Sequence, residues 1–415
     1  MRQIRVKVEW VRIMKLSHRE SLAVATAILF LARVFLDGAD GSAPGGALGA
    51  SPATSDASRI IKVYLQAGQS NADGRALTNG LPDSFLEPQA DIPYYYYLTG
   101  SPANSDGTLG TLTTLRPGCS ALGGGATFGP ELTLGRTLAD YFGKTNNVPS
   151  SNVTVAILKY AHGGTALYNA WRPNGNSTPS GEGVDYITFQ RVAAAGLNRL
   201  AAAYPDAAIE LGGMIWVQGE TDIDLGTLAS SMYGTNLVKF IKDVRLTYAA
   251  RQPYGTNLPF FLSRISANQT VYSNPADPDH ANYLLVRAGQ EAAAAALPNV
   301  FMLDTDPPAF SMATPWSGPG LHYDTRGQQS LGTAFALAII RALPPPRWNG
   351  IEQSAAGWRI SFAGVTGASH TIERAPSVAG PWDLLMHVLV GSGGLVEFDD
   401  ANPPSAGAFY RVSRP

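Results

Sequence analysis

Ile60-Ile61-Lys62-Val63-Tyr64-Leu65-Gln66-Ala67-Gly68-Gln69-Ser70-Asn71 is the stretch on which the fold turns. The run 60–65 is mostly β-branched, aromatic or aliphatic, as a strand buried on both faces requires. Gly68 then permits a tight backbone turn, which sets Ser70 at the carboxyl end of that strand. Beyond a long loop region, apolar runs at 153–158, 209–217, 259–265 and 300–303 alternate with helical stretches at 131–142, 186–204, 228–248, 281–297 and 326–343. Strands apolar along most of their length and separated by helices predict an α/β fold, a three-layer α/β/α sandwich around a parallel sheet. In such sheets functional groups gather beyond the carboxyl ends of the strands.

The chain has 415 residues, so one large domain plus an accessory module is expected. The large domain is read over 59–343. Pro344, Pro345 and Pro346 end its last helix, and short β-like runs at 358–362, 370–373 and 409–412 follow, separated by Gly-containing turns. They predict a small all-β sandwich over 347–415, in which Trp358 and Trp382 are read as core aromatics before sugar-stacking platforms. Before the large domain, Arg2, Arg5, Lys7, Arg12, Lys15 and Arg19 precede a mostly apolar run at 21–36, and small residues follow. Residues 1–43 therefore read as a signal peptide, with Met14 an alternative start to Met1, and 44–58 as a flexible linker. The apolar run is shorter than the ~20 residues of a membrane span, so no stable membrane insertion is expected after cleavage. Secretion or periplasmic export follows. A net charge of −2 with 15% charged residues offers no field for a phosphate backbone, which excludes nucleic acid as a partner. The single cysteine, Cys119, has no second thiol to bridge and reads as an ordinary loop or core residue.

Residues at the other strand ends give Ser70 company. Lys159-Tyr160-Ala161-His162-Gly163-Gly164-Thr165 ends the second apolar run, and its paired glycines let the Gly164 N–H approach a ligand oxygen. Trp216-Val217-Gln218-Gly219-Glu220-Thr221-Asp222 ends the third. There Gln218 can donate to an oxyanion, Glu220 can orient a histidine or hold a loop, and Asp222 is read as the N-cap of the next helix. A serine nucleophile needs a base, for which histidine is suited because its pKa lies near neutrality. Of six histidines, His162 and His322 fall at strand ends or in loops of the large domain where they can reach a site. His322, in Gly318-Pro319-Gly320-Leu321-His322-Tyr323 between the last strand and the last helix, is the stronger base candidate.

These four blocks, in this order, resemble the SGNH hydrolase superfamily and, within it, the sialate O-acetylesterase-like and family-six carbohydrate esterase (acetylxylan esterase) group. Phe128-Gly129-Pro130-Glu131 and Arg287-Ala288-Gly289-Gln290 are similar to the same group. The resemblance implies that Ser70 attacks an ester carbonyl, that His322 serves as general base and then acid, and that the Ser70 and Gly164 amides with Gln218 hold the oxyanion. The superfamily places an aspartate three residues before its histidine, where this chain has Pro319. The resemblance puts Glu220 in the vacated role, with Asp304 and Asp306 as rivals and a dyad oriented by a backbone carbonyl as the remaining option. Gln69 and Asn71 are expected to line the substrate site together with Gln218.

The expected activity is hydrolysis of acetyl or other short-acyl esters on an oligo- or polysaccharide, through an acyl-enzyme and without metal or cofactor. The neutral lining argues against a phosphoryl substrate, which wants cationic clamps. Two other readings are a catalytically impaired carbohydrate-binding protein and a short-chain lipase or thioesterase of the same superfamily. A sugar platform or a buried strand would each account for the tyrosines at 94–97, and the strand is the preferred reading.

Overall fold

A computed structural model of the chain describes residues 59–414, apart from 106, 123–124, 146–147, 150–152, 174–180, 252, 313–319, 356, 392 and 405–406. The signal peptide and linker expected over 1–58 lie outside the described residues, as does Pro319. The chain divides into two compact units, one formed by Ser58–Lys144 and Val148–Leu343, the other containing Pro344–Pro415. No helix among the described residues is long and apolar enough to cross a membrane.

The first unit is built on a sheet of seven strands. These are β1 Ile60–Gly68, β2 Gln89–Tyr97, β3 Thr111–Leu115, β4 Val153–Ala161, β5 Ala208–Val217, β6 Phe260–Ser263 and β7 Val300–Leu303. Their order across the sheet is β7-β6-β5-β1-β4-β2-β3. Every neighbouring pair is parallel except β2 with β3, which is antiparallel. The central strand β1 is buried over all of its nine residues. Five long helices cover the sheet: α1 Glu131–Gly143, α2 Val184–Ala203, α3 Thr227–Thr247, α4 His280–Ala296 and α5 Thr325–Ala342.

Successive residues of β1 face opposite layers, as a strand's period of two dictates. Ile61, Val63, Leu65 and Ala67 join a core with Phe189 of α2, Phe240 of α3 and Val286 of α4. On the other face Lys62 Nζ lies 5.2 Å from the Phe142 ring of α1 and 2.9 Å from Glu210, while Gln66 bonds Glu131 at 2.9 Å. α5 packs closely on α1, since a Cβ on Gly332 would fall 2.1 Å from Pro130 O. The three-layer sandwich expected from the sequence is the observed fold.

One strand was not legible in the sequence, and the start of another was missed. β3 lies inside the stretch that reads as a long loop and makes the sheet mixed rather than wholly parallel, and β2 begins at Gln89, ahead of the tyrosines for which a buried strand is the preferred reading. β2 carries Asp91 and Pro93, and β3 is a threonine-rich edge with one buried residue, so neither shows the apolar run of its neighbours. The tyrosines at 94–97 close β2, and Tyr94 and Tyr95 are fully buried, as a strand rather than a sugar platform requires.

In the second unit, β8 Arg347–Ser354, β9 Gly357–Ala363 and β12 Leu395–Asp400 form one sheet, and β10 Ser369–Ala375, β11 Asp383–Leu389 and β13 Phe409–Ser413 form another. Phe362 and Val396 of the first meet Ile372 and Val412 of the second in a shared core. Trp358 packs on the core around Ile360 and Tyr410, and the Arg411 guanidinium covers the Trp382 ring at 4.4 Å.

Candidate active site

Close approach of β1 to β5 sets the site. Gly68 has φ +140°, and a Cβ there would lie 2.0 Å from Val217 O, so only glycine lets the two strand ends meet. Gln69 N donates to Val217 O at 3.0 Å, and the short helix Ser70–Asp73 begins at once. Ser70 stands at its start, 7% exposed. His322 comes from the loop before α5, and its Nε2 lies 2.8 Å from Ser70 Oγ. Burial holds the imidazole well below its ordinary pKa, at about 4, and the nearby positive charge of Arg75 adds to this. A neutral imidazole at ordinary pH can accept the Oγ proton.

Asn71 aligns this pair. Its Oδ1 accepts from Tyr323 N at 3.2 Å, and its Nδ2 donates to Leu321 O at 3.4 Å and to Glu220 Oε1 at 2.7 Å. The residue after Ser70 thus grips the main chain on both sides of His322. Gln269 repeats half of this grip, with Nε2 bonded to Glu220 Oε1 at 2.9 Å and to Leu321 O at 3.0 Å. From α5, Gln328 Nε2 donates to Asn71 O at 3.0 Å. Beneath the nucleophile helix, Gln66 satisfies Ala72 O at 2.9 Å, while Lys159 and Ser120 both satisfy Asp73 O at 2.6 Å. Lys159 is itself paired with Glu131 at 3.0 Å, both fully buried.

The paired glycines lie against the serine. His162 N donates to Gly68 O at 3.0 Å, and a Cβ on Gly163 would sit 3.5 Å from Ser70 Cβ and 2.6 Å from Arg75 Nη2. Gly164 has φ +74°. Among the described residues neither the Ser70 nor the Gly164 N–H has a hydrogen-bond acceptor. Both are available to a developing oxyanion.

The other expected site residues are held elsewhere. Gln218 Nε2 is committed to Asp222 at 2.7 Å, Gln69 Oε1 at 3.1 Å and Thr165 O at 3.2 Å, and Gln218 Oε1 accepts from Tyr233 at 3.0 Å. An amide nitrogen with two hydrogens and three acceptors has nothing left for an oxyanion, so Gln218 braces the loop rather than completing the oxyanion hole. Gln69 Oε1 also accepts from Thr221 N at 3.2 Å, and Asn71 is fully enclosed; both are positioning residues, not the substrate lining that was expected. Glu220 does not hydrogen-bond His322. Its Oε1 serves Asn71 and Gln269, its Oε2 has no partner among the described residues, and burial raises its pKa. Asp304 pairs with Arg264, and Asp306 with Arg264 at 2.6 Å and Arg287 at 2.9 Å, so neither rival reaches the imidazole. Asp222 caps no helix. It accepts from Leu167 N at 2.8 Å and Tyr168 N at 2.9 Å, pinning the loop after Gly164, and burial raises its pKa to about 6.

Arg75, Gln269 and the Lys159–Glu131 pair were not singled out from the sequence for the site. Lys159 carried the one available signal, a charge inside an otherwise apolar strand, which a buried partner must balance. Gln269 lies in an irregular loop and offers no such signal.

A family model described as carbohydrate esterase, sialic acid-specific acetylesterase, matches residues 60–341, more than half of the chain. No curated protein matches it. Among solved structures, NanS is 16% identical with a TM-score of 0.48, over 69% of this chain and 98% of that one. XAC1771, a carbohydrate acetylesterase from Xanthomonas citri, is 14% identical with a TM-score of 0.44, over 84% of this chain and 72% of that one. Est24, a carbohydrate acetylesterase from Sinorhizobium meliloti, is 13% identical with a TM-score of 0.34, over 68% of this chain and 99% of that one.

Proposed function

This chain belongs to the sialic acid-specific acetylesterase family of carbohydrate esterases and is a carboxylic ester hydrolase of acetylated carbohydrates; on that premise we propose that Ser70 is its nucleophile and that the reaction passes through an acetyl-enzyme. The observation that carries the reading is the 2.8 Å contact between Ser70 Oγ and His322 Nε2, with two backbone N–H groups beside it that have no acceptor among the described residues. As Oγ bonds to the acetyl carbonyl carbon, His322 Nε2 takes the hydroxyl proton. The carbonyl oxygen becomes an oxyanion within reach of the Ser70 and Gly164 amides. His322 then protonates the sugar oxygen, the acyl C–O bond breaks and the sugar leaves as an alcohol. Water repeats the sequence on the acetyl-serine, with His322 again the base, and acetate departs.

The alcohol released is a sugar hydroxyl and the acyl group is short. Export to the periplasm or the medium belongs to the same proposal and rests on the basic and apolar pattern of residues 1–43. A fluorophosphonate probe tests the serine mechanism: labelling at Ser70 is expected, and an unlabelled Ser70 in active protein would overturn it. Acetate release from O-acetylated sialic acid and from O-acetylated xylan tests the substrate class. Faster turnover of 4-nitrophenyl octanoate than of the acetate would remove the short-acyl assignment.

A further inference from the structure

A second histidine stands beside the nucleophile, and the mechanism above makes no use of it. His162 follows the last residue of β4, and its main chain is tied to Gly68 O at 3.0 Å. Its Nδ1 lies 2.7 Å from Asp185 Oδ1 in the first turn of α2, and the Tyr160 hydroxyl donates to the same oxygen at 2.5 Å. Asp185 is buried, and its Oδ2 has no partner among the described residues. The His162 side chain is 35% exposed, and its Nε2 makes no hydrogen bond among the described residues. A carboxylate oxygen that already accepts a hydrogen bond from the Tyr160 hydroxyl also accepts one from Nδ1–H, which leaves Nε2 as an acceptor at the carboxyl edge of the sheet.

The two histidines belong to opposite faces of the sheet. His322 arrives before α5, on the face of β1 that packs on α1 and α5. His162 leans toward α2, on the opposite face, where Tyr160 joins the core with Phe189. A Cβ on the next residue, Gly163, would fall 3.5 Å from Ser70 Cβ, so the main chain that carries His162 borders the nucleophile. An acetyl group offers only its carbonyl oxygen for hydrogen bonding, and the amides beside Ser70 serve that oxygen. The remaining polar groups of an acetylated carbohydrate are the hydroxyls of its sugar.

We propose that His162, oriented by Asp185, is a specificity-determining residue that accepts a hydrogen bond from a hydroxyl of the sugar bearing the acetyl group. The proposal rests on the reading of Ser70 as nucleophile of a carbohydrate acetylesterase. Fixing the ring through Asp185 lowers the entropy cost of the contact, as a preorganised site should. Asp185 is a positioning residue.

The test compares full-length wild type with His162→Ala, His162→Gln and Asp185→Asn on two kinds of substrate. One is O-acetylated sialic acid or O-acetylated xylan, whichever the wild type hydrolyses; the other is 4-nitrophenyl acetate, which carries no sugar hydroxyl. The readout is the ratio of kcat/KM for the sugar ester to that for the nitrophenyl ester. His162→Ala should lower this ratio about tenfold or more, chiefly through KM, as the loss of one hydrogen bond to a bound hydroxyl predicts. His162→Gln, which keeps an acceptor, should restore part of it, and Asp185→Asn should lower it less than His162→Ala. An unchanged ratio in His162→Ala overturns the proposal, as does an equal loss on both substrates, which would put His162 at the reaction centre instead. Should Asp185→Asn fail to fold, the half-exposed His162 variants decide alone. Wild type that hydrolyses 4-nitrophenyl acetate but neither sugar ester refutes the substrate reading and this inference with it, whereas a normal wild type with an unchanged ratio refutes only this inference.

Discussion

Asn71 clamps the main chain on both sides of His322, accepting from Tyr323 N at 3.2 Å and donating to Leu321 O at 3.4 Å. The base is therefore aligned by the neighbour of the nucleophile it serves. Asn71→Ala should lower kcat by roughly a hundredfold with a small change in KM, because a base displaced by about 1 Å loses most of its effect. Steady-state kinetics on 4-nitrophenyl acetate measure this, and a kcat within threefold of wild type would show that the clamp is dispensable.

Glu220 accepts from both amides that hold Leu321 O, so its charge matters less than its acceptor oxygen. Glu220→Gln keeps that oxygen and should cost less than about tenfold in kcat, whereas Glu220→Ala leaves two buried amides short of a partner and should cost more, with a loss of stability of about 1–3 kcal/mol. Thermal melts and kinetics of the pair check this. If the two variants behave alike, Glu220 acts through its charge.

The His322 pKa of about 4 predicts an unusual acid limb. A base must be unprotonated, so kcat/KM should hold from neutrality to about pH 5 and fall as pH drops through about 4, rather than near the ordinary imidazole value of 6.5. Burial is the larger cause and Arg75 the smaller, so Arg75→Met should move the limb upward by only part of that gap. A wild-type limb at 6.5 would contradict the enclosed setting of His322.

The Lys159–Glu131 pair lies directly under the nucleophile helix. Lys159→Met removes one charge and leaves the other buried, which costs about 3–5 kcal/mol. The double variant Lys159→Met/Glu131→Gln should recover much of that loss. Urea denaturation gives both numbers, and a single variant as stable as wild type would mean that the pair is solvated.

Gly68 and Gly164 should respond differently to alanine. At Gly68 the new Cβ meets Val217 O at 2.0 Å, at φ +140°, so Gly68→Ala should destabilise by about 3 kcal/mol or more and abolish activity. Gly164 has open space around it at φ +74°, so Gly164→Ala should cost only about 1–2 kcal/mol, from backbone strain. Melting temperatures of the two variants separate crowding from strain.

The three-layer fold and the candidacy of Ser70 and His322 were legible in the sequence because their signals are local. An apolar run, a glycine at a strand end and a histidine before a helix are each encoded within a few residues, and the order of the strands does the rest. β3 and the start of β2 were not legible, because Asp91, Pro93 and the threonines of an edge strand carry no periodic signal until a neighbour pairs with them.

The sequence by itself determined which residue types stand at the carboxyl ends of β1, β4 and β5, and so where the chemistry gathers. Only the tertiary structure decided what each does. Asn71 bonds Glu220 across 149 residues and Leu321 across 250, and Gln218 divides its amide among Gln69, Thr165 and Asp222. A side chain has a fixed number of donors and acceptors, and partners from distant segments had already claimed those of Gln218, Asn71 and Glu220. That leaves His322 to face Ser70, while His162 is held by Asp185 through Nδ1.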